Sequence, residues 1–266
     1  RNKDEALVVV EELKDELCNE YSMDVAINDK IKFEETHVKD DLLTSSGDLK
    51  NNKFIVEIDT DGVLANMDGS YTPYIGHIVP YFSEEEHITD WGIPYLKENY
   101  DEALKIISDL YVNPGFIRTL PRYENVEKYL KDIYEVVNKY NGLIVVHTHI
   151  LSSECAIARE LWLKDLRSDA NVDFDIDICV GSEKKTRQNS LILIEDNINN
   201  LKKSSAPYKI LMRRCHNRNY GLNDIGSYEE AFIVKDLSNV TDIIERVLQE
   251  NLNYIESDLS VVSNYG

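Results

Sequence analysis

Basic residues are the first scarcity. Only 29 lysines and arginines stand against 49 acids, a formal charge of −20. Binding a nucleic-acid backbone rests on Lys and Arg neutralising phosphates, so this balance argues against such a polymer as the main partner. Apolar runs are short as well. None nears the ~20 residues a membrane-spanning helix needs, and no signal-peptide pattern opens the chain. Because the chain opens on Arg1 and not on Met, the missing leader carries little weight. Cysteine is rare and scattered, at Cys18, Cys155, Cys179 and Cys215, with no CxxC pair. That spacing argues against a disulfide framework or a zinc site and reads as reduced thiols in a cytoplasmic protein. Against these scarcities stands a hydrophobic content of 42% over 266 residues. It suits one generous domain, or a core with an insertion, and excludes wholesale disorder.

Residues 4–20 can form a helix with Leu7, Val10, Leu13 and Leu17 partly on one face. Residues 28–53 are polar and end in SSGDLKNNK, a linker by composition. Residues 1–50 are therefore expected to be an N-terminal extension, and residues 251–266 a polar, peripheral tail. Between them the pattern changes. Short apolar runs recur at FIVEI (54–58), LIVVH (143–147), DICV (177–180), LILIE (191–195), KILM (209–212) and AFIV (231–234). Most are continuous, as expected for parallel strands covered on both faces.

Helical stretches lie between them. Val126, Leu130, Ile133, Val137 and Tyr140 recur at helical spacing, as do Val240, Ile243, Ile244, Val247 and Leu248. In SSECAIARELWLKDL, Ile157, Leu161 and Trp162 mark a face and Ser152 or Ser153 can cap the start. Alternating strand and helix predict an α/β fold, a doubly wound parallel sheet of Rossmann-like type. Residues 51–66 and 119–250 make its core. Residues 67–118, with Trp91, many tyrosines and a helix in NYDEALKIISDLY, are too long for a βα loop. They predict a small, mainly helical cap inserted after the first strand.

Ligands of open parallel sheets bind at the carboxyl ends of strands. The first strand ends in Asp59-Thr60-Asp61-Gly62, LIVVH ends in Thr148, LILI ends in Glu195-Asp196, and Lys184-Lys185 come just before that last strand. Carboxylates, a hydroxyl and an amine thus converge on one edge. A phosphate monoester repels an approaching carboxylate, so such a set calls for a divalent cation, and hard oxygen ligands select Mg²⁺. Asp59 is the expected nucleophile, forming an aspartyl-phosphate. Asp61 is the expected acid and then base, with its backbone carbonyl available to the metal. Thr148 would donate to a phosphoryl oxygen and a lysine would supply point charge. Asp59, Asp61, Asp196 and Glu195 make the expected metal set.

DTDGVLA resembles motif I of the haloacid dehalogenase (HAD) superfamily of phosphatases, and Thr148, Lys185 and Glu195-Asp196 fall in the order of motifs II to IV. The likeness is closest to the 5′(3′)-deoxyribonucleotidases, whose motif I commonly reads DxDGVLAD. NPGFIRTLPRYENVEKYLKDI, KTRQNSLILIEDN, Trp162 and Asn217 are similar to that family's landmarks, and Lys185 precedes Glu195 by its ten positions. The match spans roughly residues 54–220. Departures are Asn66 in place of Asp, HTHILSSE after the second strand, and Glu195 opening motif IV. Asp196 is favoured over Glu195 as the acid that touches metal.

The resemblance implies a cytoplasmic, Mg²⁺-dependent phosphatase of nucleoside 5′-monophosphates, deoxyribonucleotides foremost, with a homodimer as an allowed assembly. It further implies that cap aromatics, Trp91 and Phe116 above all, stack on the base, with His149 and Arg118 as further substrate contacts. The blander readings are that the aromatics pack the cap's own core, that His147 and His149 are incidental neighbours, and that Arg118 sits on a helix-leading loop. Other functions weighed are a phosphatase of another small phosphomonoester and a HAD-fold binding protein without turnover. Intact Asp59 and Asp61 argue against the latter.

Overall fold

The computed structural model describes residues 54–75, 88–90, 93–94, 100–181 and 190–263. The expected N-terminal extension, Trp91 and the Lys184-Lys185 pair lie outside the described residues. The strands are β1 (Ile55–Asp59), β2 (Ile88–Asp90), β3 (Ile93–Pro94), β4 (Leu143–Ile150), β5 (Asp175–Val180), β6 (Ile192–Glu195), β7 (Tyr208–Met212) and β8 (Glu230–Val234). The helices are α1 (Thr72–Ile75), α2 (Tyr100–Tyr111), α3 (Pro114–Arg118), α4 (Val126–Lys139), α5 (Ser153–Ala170), α6 (Ile198–Lys203) and α7 (Val240–Ser263).

Six strands form one sheet of order β5-β4-β1-β6-β7-β8, and every neighbouring pair is parallel. From β1 the chain runs outward to β4 and β5, then crosses back to β6 on β1's other side and continues to β7 and β8. The winding therefore reverses between β1 and β6, and that is where such sheets open a crevice for a ligand. This is the doubly wound α/β fold expected from the alternating pattern.

Both faces of the sheet are covered, which is why its strands read as continuous apolar runs. Val56, Ile58, Ile144, Val146, Ile192 and Ile194 point to one face and pack with residues of α4, α5 and α7. Leu193 and Leu211 point to the other and pack with Ile198 and Leu201 of α6 and with Ile225. Each fully buried aliphatic here contributes about 1.5–3 kcal/mol. On α4 the buried set is Val126, Leu130, Ile133 and Val137, as its spacing predicts.

One expectation is corrected and two are refined. On α5 the buried face is Cys155, Arg159, Trp162, Leu163 and Leu166, while Ile157 is exposed; Ser152 is its cap, accepting from the Cys155 N–H. The described part of the inserted segment is mainly helical, as expected, and also carries the hairpin β2–β3; α3 packs on α5, with Phe116 and Ile117 buried in the main core. The chain after Asn251 continues as helix to Ser263, so the last helix extends through most of the predicted tail. The described cysteines, Cys155, Cys179 and Cys215, are thiols and not disulfide halves.

Candidate active site

β1 delivers Asp59 to the carboxyl edge, and the six residues after it fold back on themselves. The Thr60 carbonyl accepts the N–H groups of Leu64 (2.9 Å) and Ala65 (2.8 Å), and the Gly62 N–H donates to the Ala65 carbonyl at 2.9 Å. The Thr60 hydroxyl donates across to the His147 carbonyl on β4 at 3.1 Å. Gly62 adopts φ +77°, a region that L side chains rarely occupy, and a Cβ there would lie 1.6 Å from Asp196 Oδ2. Glycine is what lets the loop after β1 close against the loop after β6.

That closure gathers carboxylates. Oxygens of Asp59, Glu195 and Asp196, all buried, lie within 4.8 Å of one another. The two members of the last pair differ in their bonding. Glu195 Oε1 accepts the N–H groups of Asp196 (3.1 Å) and Asn197 (3.0 Å), and its Oε2 accepts from Asn200 Nδ2 at 2.9 Å. Glu195 thus braces the start of α6. Asp196 Oδ1, by contrast, is buried with no hydrogen-bond partner among the described residues. Burial pushes the Asp196 carboxyl up to about 7, with nearby Glu195 adding to the rise and His216 opposing it. Hard oxygen donors crowded this closely, one with an orphaned oxygen, fit a divalent cation better than they fit one another.

Asp61 does not join that cluster by its side chain. Its Oδ1 accepts from Arg159 Nη2 at 2.6 Å, and Arg159 is wholly buried. Thr148 is buried on β4, two residues before the strand's last, with its hydroxyl unpartnered among the described residues.

The remaining expected residues fare differently. The His149 ring is hydrogen-bonded by Nε2 to the Gly181 carbonyl. Phe116 is 5% exposed, stacked on Tyr71 at 6.1 Å and edge-on to Tyr74 at 5.6 Å, so its ring belongs to the protein's own packing and not to a base. Arg118 pairs with Asp165 of α5. Lys185 and Trp91 fall outside the described residues.

Several residues to which sequence reading gave no role in the site, Asn217 among them as a family landmark only, support it. Asn217 Nδ2 donates to the carbonyls of Asp196 (2.7 Å) and Met212 (2.9 Å), and its Oδ1 accepts the Arg214 N–H at 3.0 Å. Arg214 donates to the Gly62 carbonyl and lies 4.1 Å over the Tyr123 ring. His216 bridges Asp196 Oδ2 (3.3 Å) and Asp68 Oδ2 (3.1 Å). Burial works against its charge, but the two carboxylates outweigh that and raise it to about 10. Earlier on β1, Glu57 accepts from Ser190 Oγ at 2.6 Å, and His147 Nδ1 lies 3.5 Å from Glu57 and 3.4 Å from Asp177. The signal for Arg159 was present, since Cys155, Arg159, Trp162 and Leu166 recur at helical spacing on one face.

An acid cluster beside the point where a doubly wound sheet reverses its winding is an arrangement suited to phosphate-ester hydrolysis. The profile of the family described as 5′ nucleotidase, deoxy (pyrimidine), cytosolic type C protein (NT5C) matches residues 53–238. The chain belongs to that family and is a hydrolase of the 5′-nucleotidase type. No curated protein matches the chain. Among solved structures, a haloacid dehalogenase-like hydrolase of Burkholderia xenovorans LB400 is similar at 11% identity and a TM-score of 0.39, covering 74% of this chain and 98% of that one. L-2-haloacid dehalogenase of Xanthobacter autotrophicus is similar at 12% identity and a TM-score of 0.39, covering 72% and 98%. Neither likeness carries an inference about activity.

Proposed function

We propose that this chain hydrolyses nucleoside 5′-monophosphates, deoxyribonucleotides foremost, to nucleoside and phosphate, with Mg²⁺ as cofactor. The observation that supports the chemistry is the buried cluster of Asp59, Glu195 and Asp196 beside Asp61, at the point where the sheet reverses. The substrate class is carried by the family match over residues 53–238.

Asp59 attacks phosphorus and forms the acyl phosphate, while Asp61 protonates the leaving oxygen. Asp61 then takes a proton from the water that cleaves the intermediate and restores Asp59. Thr148 donates its hydroxyl to a phosphoryl oxygen, and Lys185 is the expected partner for the remaining charge. Asp59, Asp196 and the Asp61 carbonyl would hold Mg²⁺, with Glu195 behind them. When bound, the ion supplies the positive charge that lets a carboxylate approach a phosphate dianion.

The test is phosphate release from a panel of nucleoside monophosphates, ribo and deoxy, 5′ and 3′, with Mg²⁺ and with EDTA. Metal-dependent release strongest on a deoxyribonucleoside 5′-monophosphate is the expected result. Release from an aryl phosphate alone would keep the phosphatase and remove the nucleotide. Silence on all of them would overturn the proposal.

A further inference from the structure

Arg159 is the anomaly of this fold. It is a wholly buried guanidinium on α5, and its one hydrogen bond among the described residues runs from Nη2 to Asp61 Oδ1 at 2.6 Å. Its Nε and Nη1 find no partner among the described residues. The remaining contact is an aromatic one, with the guanidinium carbon 5.5 Å from the Trp162 ring. Trp162 is itself held, donating Nε1–H to the Leu120 carbonyl at 2.8 Å. Removing a guanidinium from water and leaving two donors unsatisfied is costly, and an apolar side chain would fill the same volume with no such penalty. Stability therefore does not account for an arginine here.

Asp61 supplies the account. Its side chain is 20% exposed, at the end of a loop, and Arg159 is the one side chain hydrogen-bonded to it among the described residues. A carboxylate with both oxygens at liberty would rotate about its side-chain torsions. Held at Oδ1 by a guanidinium that lies against the Trp162 ring, it has one oxygen left to work with. We infer that Arg159 is the positioning residue of the reaction: it orients Asp61 so that Oδ2 meets the oxygen that leaves and, later, the water that arrives.

This deepens the phosphatase reading and rests on it. In the first half-reaction the Asp59 carboxylate forms a bond to phosphorus, the bond from phosphorus to the ester oxygen breaks, and the Asp61 proton goes to that oxygen. In the second, water adds to phosphorus, its proton goes to Asp61, and the Asp59–phosphorus bond breaks to regenerate the carboxylate. Only steps that move a proton need Asp61 in place. An aryl phosphate whose leaving group departs as the anion does not need it in the first half.

The experiment compares Arg159→Met and Arg159→Lys with the native chain on p-nitrophenyl phosphate and on a nucleoside 5′-monophosphate, in single-turnover and steady-state modes. General acid–base catalysis is worth ~10²–10⁴-fold. The expected result for Arg159→Met is a loss of ~10²-fold or more on the nucleotide. The stoichiometric burst of nitrophenolate should stay within about threefold of native, followed by a slow steady state. Arg159→Lys should recover part of the nucleotide rate.

In an Asp61→Asn background, Arg159→Met should add little, because the two act as a unit. An equal loss in the nitrophenolate burst and on the nucleotide would overturn the inference in favour of a structural role, as would additive losses in the double variant. Native-like turnover of the nucleotide by a folded Arg159→Met would overturn it outright. A native chain inactive on both substrates would instead sink the phosphatase reading and this inference with it.

Discussion

Gly62→Ala tests the closure on which the whole site depends. Two costs can be worked out. An L-residue at φ +77° is strained by about 1–2 kcal/mol. The new Cβ would also sit 1.6 Å from Asp196 Oδ2 and 2.4 Å from its Cγ. Real Cβ contacts do not fall under 3.0 Å, so the carboxylate or the loop must retreat by 1.4 Å or more. Asp196 has little room for this, being 1% exposed, tied through Oδ2 to His216 and through its carbonyl to Asn217. Crowding of this kind adds about 1–3 kcal/mol. The sum is about 3 kcal/mol, or ~6–12 °C of melting temperature for a domain of this size. A displacement above 1 Å in a reacting constellation costs ~10²-fold in rate, so phosphate release should fall at least that far. The assays are a thermal melt and phosphate release under saturating Mg²⁺. A variant melting within ~2 °C of native and turning over within about threefold would refute the argument that Gly62 lets the two loops meet.

Asp59→Asn should abolish turnover while leaving the melting temperature near native; retained activity would rule out covalent catalysis by this residue. Asn217→Ala removes hydrogen bonds to Asp196, Met212 and Arg214 in a buried site, and should cost about 3 kcal/mol in denaturant unfolding. A loss under ~0.5 kcal/mol would mean the loop does not depend on it. His216 at about 10 and Asp196 at about 7 both lie above their ordinary 6.5 and 3.8. The folded chain therefore binds more protons than the unfolded one across that span, and stability falls as pH rises through it. With EDTA present, the native melting temperature should decline from pH 6.5 toward 10 and His216→Gln should flatten that decline; a rise would contradict the assignment. Removing residues 1–50 should leave a folded core, since the family match begins at residue 53; loss of soluble protein would show the segment to be part of the fold.

Much of this was written along the chain, because strands and helices announce themselves by local periodicity. FIVEI, LIVVH and LILIE read as covered strands, and each became one, with Asp59 and Glu195 as last residues of theirs while the strand of LIVVH runs on past Thr148 to Ile150. Position along a strand decides which edge a residue reaches, so Asp59, Thr148 and Asp196 could be placed together without coordinates. Helical phase was less legible where a helix has apolar residues on several sides. On α5 this hid the buried face, and with it Arg159.

Tertiary structure alone decided the rest, because it concerned pairs far apart in sequence. Glu195 and Asp196 are adjacent acids of nearly equal chemistry, and only the fold turns one toward the α6 backbone and leaves an oxygen of the other unpartnered among the described residues. Phe116 could equally have faced a base or a neighbour, and packing against Tyr71 and Tyr74 chose the neighbour. Arg159 and Asp61 are 98 residues apart. A short stretch of sequence carries the residue types that phosphate chemistry requires. Which oxygen of which acid is free to perform it depends on the partners that long-range packing brings within hydrogen-bond reach.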